Sequence, residues 1–148
     1  MTDQAPPAAA PAGIPLPYGA PLTLEAATRV VQAAEAFAKT KGWPVVIAVF
    51  DSTGHLSVLH RLDQANLGAI ELAQRKAQTA IRFRRPTKVY EDIVAGGGMR
   101  VLSASSELIT LEGGIPLVKD GVVVGSIGVS GMTSGEDGEV AAAGARAL

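Results

Sequence analysis

Apolar and polar positions alternate along this chain with two periods, and the switches between them outline its elements. Ala27, Val30, Val31, Ala34, Phe37 and Ala38 fall on one stripe at helical spacing. Thr23 precedes them as an N-cap and Gly42 follows as a stop, which predicts a first helix between those residues. Val45 to Phe50 is a continuous apolar run rich in β-branched residues, the pattern of a strand buried on both faces. Asp51-Ser52-Thr53-Gly54 reads as a turn, and His55 to Arg61 returns as a second strand, so the pair forms a hairpin. A second helix is expected from about Asn66 to Arg84, stopped by Pro86. Alanines at 69, 73, 77 and 80 thin one of its sides, so that it can lie close to a sheet. Thr87 to Ala95 predicts a short third helix ending at Gly96-Gly97-Gly98, and Ser105 to Leu111 a third strand. Two further strands flank Asp120-Gly121, a dipeptide suited to the positive φ angles of a type I′ turn. Gly125 and Gly128 notch the second of them, which calls for something to approach its backbone closely. A last helix is expected with Ser134 as N-cap and Asp137 at the capping-box position. The order predicts an α+β layered domain: an antiparallel sheet of about five strands covered by helices.

Composition narrows the function classes. A chain of 148 residues suits one domain, placed at 22–148 behind a proline- and alanine-rich arm at 1–21. The arm has almost no charge and no periodicity, so it is expected to be disordered or polyproline-like. Its end, Ile14 to Gly19, carries larger apolar groups, suited to lying along a neighbouring subunit. A net charge of −1 provides no field for nucleic acid or an anionic membrane. The absence of cysteine removes disulfides, thiolate catalysis and cysteine metal sites. No apolar stretch reaches membrane-spanning length, and the start lacks the pattern of a signal peptide. The expectation is a cytoplasmic protein with neither a membrane nor a nucleic-acid partner.

Candidate chemistry is sparse. The two histidines share one short strand, where alternation places Leu56, Val58 and His60 on one face and His55, Ser57 and Leu59 on the other. They therefore do not share a ligand, and no two-histidine metal pattern exists. His60 ends an apolar face beside Arg61 and Asp63, and is either an axial ligand for haem iron or a strand-end histidine bonded to a carbonyl. On the second helix Leu72, Lys76, Thr79 and Phe83 form one stripe, so a lysine and a hydroxyl share an apolar face. Such a lysine either snorkels to water or meets an anion. Arg75, Arg82, Arg84, Arg85 and Lys88 surround it, the cations at the helix end complementing its dipole. Gly113-Gly114 enters a strand at a sharp bend, where backbone amides can bind an anion or simply make a turn. No catalytic triad can be assembled, since none of the serines lies in a Gly-x-Ser-x-Gly elbow.

Taken in order, the motifs resemble the GlcG/HbpS family, the group also represented by the C-terminal domain of PduO-type proteins. The matching pieces are Ala48-Val49-Phe50-Asp51-x-x-Gly54-x-Leu56, Arg61-Leu62-Asp63, Lys76-Ala77-Gln78-Thr79-Ala80, Gly113-Gly114-Ile115-Pro116, Asp120-Gly121 through Gly131, and Asp137 with Ala141 and Ala143-Gly144. They cover residues 23–148. The resemblance implies a profilin-like α+β fold, a homo-oligomer, and relatives that bind haem or take part in its breakdown, or work beside cobalamin chemistry. It carries over Arg61, Asp63, Lys76, Thr79, Gly113, Gly114, Gly131 and Asp137. One stretch departs: where the family often reads Arg-Met-Asp-Gly-Ala, this chain has Arg61-Leu62-Asp63-Gln64-Ala65.

Three readings follow. In the first, the chain binds haem or another tetrapyrrole, with His60, or failing that His55, Tyr90 or Met99, on the iron. Lys76 and nearby arginines then meet the propionates. In the second it is a cofactor-free lyase or isomerase for a small carboxylated metabolite of catabolism. Lys76 or Arg61 holds the carboxylate, Asp63 or Asp137 is the base, and the Gly113-Gly114 amides stabilise an enolate-like oxygen. In the third it is an oligomeric assembly or regulatory module that uses the glycine-notched strand and the arm as contacts.

Overall fold

The computed structural model describes residues 14–148. Its elements are helix α1 (Leu24–Lys41), strands β1 (Val46–Asp51) and β2 (Leu56–Arg61), helices α2 (Leu67–Phe83) and α3 (Lys88–Ala95), a 3₁₀ turn (Met99–Ser103), strands β3 (Gly114–Lys119) and β4 (Val122–Ser130), and helix α4 (Ser134–Ala145). The strands form one antiparallel sheet in the order β2-β1-β4-β3. α1 and α4 cover one face, where Val30, Val31 and Ala34 meet Ile47, Val49, Ile127 and Val129. α2 covers the other, where Ala69, Ala73, Ala77 and Ile81 meet Val46, Ala48 and Phe50. The result is the expected α+β layering, with four strands in place of about five.

Local signals account for much of it. Thr23 Oγ1 accepts from the Ala26 amide at 3.1 Å, and Gly42 caps α1 at φ +71°. Asp120 and Gly121 both take positive φ, +51° and +78°, as a type I′ turn requires. The notch at Gly128 has an occupant inside the chain. A Cβ there would stand 2.0 Å from the Ala73 carbonyl, so the alanine face of α2 lies directly on the strand. Gly125 likewise receives Phe50 and Leu22. β4 is a central strand and is not available as an assembly edge.

The missing strand is Ser105 to Leu111. This stretch is turn and irregular chain, because its bonds go to α2 and within the stretch itself rather than to a ladder. The Ile109 amide donates to Thr79 Oγ1 at 3.2 Å, Arg82 pairs with Glu107 at 2.7 Å, and Ser105 Oγ accepts from the Glu107 amide. α4 begins one residue earlier than expected. Thr133 is its N-cap and Glu136 completes the capping box, which leaves Asp137 free to turn inward. In β2 a bulge breaks the simple alternation: Val58 pairs with Val49 but Leu56 with Phe50, whose side chain belongs to the opposite core.

Of the proline-rich arm, residues 1–13 lie outside the described residues. Residues 14–21 are seated on the chain itself. Val123 donates to Pro17 O and Gly19 donates to Val123 O, at 2.8 and 2.9 Å, in the place β1 vacates beside β4. The Tyr18 hydroxyl reaches the Ile81 carbonyl at 2.7 Å, and the Arg84 guanidinium lies over the Tyr18 ring. Among the described residues no helix is long and apolar enough to cross a membrane.

Candidate functional site

His60, Arg61, Asp63, Lys76, Gly113, Gly114, Gly131 and Asp137 gather at one end of the sheet. Ile47 pairs with His60 on one side and Val129 on the other, and the Val129 amide donates to Gly113 O at 2.9 Å. The next row joins Arg61, Val46 and Ser130. Along this end they separate into a sealed seam and an open cleft.

The seam is built around Lys76. It springs from the sheet-facing side of α2, yet its partner Asp137 is on α4, on the far side of the sheet. Gly113 and Gly114 open the passage at the start of β3. A Cβ on Gly113 would lie 2.9 Å from Lys76 Nζ, and one on Gly114 2.4 Å from the Lys76 carbonyl. Through this gap Nζ donates to Asp137 Oδ2 and to the Val129 carbonyl, each at 2.9 Å. The two side chains are 2% and 3% exposed. Lys76 therefore neither snorkels nor awaits an external anion, since its counter-ion comes from within the chain. Asp137 Oδ1 accepts from the Met132 amide at 2.9 Å. Burial pushes the Asp137 carboxyl above its ordinary value, against the pull of the Lys76 ammonium and the Met132 and Gly131 amides. Glu112 is also pushed up by burial, opposed chiefly by Lys88. The Gly114 amide, a candidate anion donor, is engaged by Thr87 Oγ1 at 2.9 Å. Thr79, one turn from Lys76, is buried as the acceptor for Ile109.

The cleft lies between the end of α1 and the end of β2. It encloses about 340 Å³ and is lined by Glu35, Lys39, Trp43, Pro44, Arg61 and Asp63, with Gly42 and Leu62. Neither Arg61 nor Asp63 pairs with another charge among the described residues. His60 stands beside it, 36% exposed, with Nδ1 3.4 Å from Glu35 Oε2. Gly131 links cleft and seam. At φ +140° it leaves no room for a side chain, because a Cβ would lie 2.7 Å from the Pro44 carbonyl.

The other proposed iron ligands are elsewhere. His55 is exposed at the hairpin tip, its Nδ1 3.1 Å from Thr53 Oγ1. Tyr90 is buried edge-on against Phe83, and Met99 is exposed on the 3₁₀ turn. The basic residues in and after α2 disperse, Arg75 to Glu71, Arg82 to Glu107 and Lys88 of α3 to Asp92, while Arg84 bonds the Leu16 carbonyl. Glu35, Lys39 and Trp43 were not among the candidates from sequence. On α1, Glu35 and Lys39 look like an ordinary i,i+4 surface pair, and only folding brings them to β2.

A family model described as haem degrading protein HbpS-like matches residues 22–146. The chain belongs to the HbpS-like family. It is 41% identical to the protein GlcG of Escherichia coli K12 over 109 residues, spanning 74% of this chain and 81% of GlcG. A crystal structure of a double mutant of HbpS from Streptomyces reticuli superposes with a TM-score of 0.79 at 36% identity, covering 96% of this chain and 99% of that one. The crystal structure of a PduOC–haem complex gives 0.78 at 29% identity, over 86% and 95% of the two chains. The HbpS-like match thus spans α1 through α4, seam and cleft included, and starts just after the seated arm.

Proposed function

We propose that this chain binds haem or a related tetrapyrrole in the cleft beside His60. The observation that carries the reading is the Glu35–His60 pair at the edge of that cleft, in a family with a relative solved as a haem complex. A carboxylate behind one imidazole nitrogen orients the ring and leaves the other nitrogen, Nε2, to serve as the ligating atom. Arg61 and Lys39 supply cations for propionates, and Trp43, Pro44 and Leu62 supply an apolar wall. The propionate role expected of Lys76 passes to these residues, because its ammonium is sealed against Asp137. A cleft of about 340 Å³ is at the small end for ligand sites, so its residues would hold part of a tetrapyrrole rather than all of it. When bound, haem supplies the redox-active iron; the chain's own residues hold and orient it. A homo-oligomer and a cytoplasmic location belong to this reading, and light scattering should return a multiple of 15.1 kDa.

The test is a haemin titration read in the Soret band, with His60→Ala, Arg61→Ala and His55→Ala alongside. A saturable shift is expected, lost in His60→Ala, weakened in Arg61→Ala and kept in His55→Ala. Unsaturable binding, or an unchanged spectrum in His60→Ala, would sink the assignment. The second reading, a small carboxylated ligand, is favoured by the unpaired Arg61 and Asp63 in the same cleft. Its signature is a carboxylate that binds without haemin and is lost in Arg61→Ala.

A further inference from the structure

We infer that the Asp137 oxygen accepting from the Met132 amide positions the cleft through the Gly131–Met132 turn, Lys76 serving only to neutralise the carboxylate in its buried seat; the inference rests on the reading that the cleft binds the ligand. Asp137 divides its carboxylate between two jobs. Oδ2 meets the Lys76 ammonium and Oδ1 accepts from the Met132 amide, both at 2.9 Å. The second bond fixes the chain just after β4. Gly131 precedes it, pressed so closely on the Pro44 carbonyl and the Val45 backbone that a Cβ has no place. Pro44 and its neighbour Trp43 are wall residues of the cleft. Lys76 is tied to the same strand end through the Val129 carbonyl at 2.9 Å. A rigid path therefore runs from Asp137 to the Met132 amide, to Gly131 and to the cleft wall.

A buried ion pair could serve the fold alone, so the charge must be separated from the hydrogen bond. In Lys76→Met/Asp137→Asn no charge is left buried, but an amide oxygen remains to accept from Met132. In Lys76→Met/Asp137→Leu the acceptor is gone. With circular dichroism confirming that both are folded, the first double variant should bind haemin close to wild type. The second should bind about tenfold or more weakly, the range for losing a group that orients a site. Gly131→Ala, which pushes on Pro44 from the turn and leaves the ion pair intact, should weaken binding similarly. It decides the matter if the leucine variant does not fold. Normal affinity in a folded Lys76→Met/Asp137→Leu or Gly131→Ala protein would overturn the inference. Should the wild type bind no haemin, the ligand reading fails by itself. The positioning is then read from Trp43, the protein's one tryptophan. Its emission should shift in the leucine double variant and not in the asparagine one, and equal spectra would overturn the inference.

Discussion

Lys76 and Arg61 are long cations carried to the same end of the same sheet, and they meet opposite surroundings. Lys76 leaves a helix that covers the central strands, so nothing it reaches is wet. Its charge is tolerated because Asp137 and the Val129 carbonyl stand at its tip. Arg61 ends β2, an edge strand of the sheet among the described residues, and its guanidinium stays in water beside the cleft. The difference shows that a charged side chain's role follows from what is packed over it and not from its residue type. It also separates two energetic regimes. Breaking a buried pair from one side strands the other charge, whereas an exposed pair contributes little.

The largest expected effect tests the sealed side. Lys76→Met should cost about 3–5 kcal/mol in urea unfolding at pH 7, because Asp137 is left as a buried anion. The sign of its pH dependence follows from the raised Asp137 carboxyl. The folded state holds that proton more tightly than the unfolded state. The contribution of this group is therefore full below the unfolded value of about 4 and is lost as pH rises through the folded one. The deficit of Lys76→Met against wild type should shrink toward pH 4, and a deficit independent of pH would break the comparison. Next comes the passage itself. Gly113→Ala places a methyl 2.6 Å from the Val129 carbonyl and against Lys76, at φ +130°, and should cost about 2–4 kcal/mol. A midpoint equal to wild type would show that Lys76 has another route. On the open side, His60→Ala should change stability by about 0.5 kcal/mol or less, whatever it does to haemin binding. A loss comparable with that of Lys76→Met would erase the distinction. The smallest effect is a gain. Gln64, which stands where the family often has glycine, takes φ +67°. Gln64→Gly should therefore stabilise by about 0.5–1 kcal/mol by relieving a left-handed side-chain clash. A loss of stability would mean that the glutamine side chain supports the cleft's rim.

Much of the architecture was legible because it is local. The α1 stripe, the Thr23 and Gly42 caps, the Asp120-Gly121 turn and the alanine face of α2 each follow from backbone rules acting over a few residues. The Ser105 to Leu111 stretch was not, since its amide and acidic side chain bond to α2 instead of a neighbouring strand. Nor was the start of α4. Thr133 with Glu136 and Ser134 with Asp137 both satisfy a cap-and-acid spacing, and the one-residue choice decides whether Asp137 faces water or Lys76. Gly113 and Gly114 were recognised at a sharp bend and Gly131 only through the family resemblance, and what they accommodate — a lysine, a threonine and a proline carbonyl — lies far along the chain.

By itself, the sequence determined the helices, the two hairpins and the points where only glycine would do, because these depend on periodicity, caps and φ angles set by near neighbours. Only the tertiary structure decided that Lys76 and Asp137 are sealed together while His60, Arg61 and Asp63 border water. The cost of removing a charge from solvent depends on every element packed around it, and those elements come from all parts of the chain.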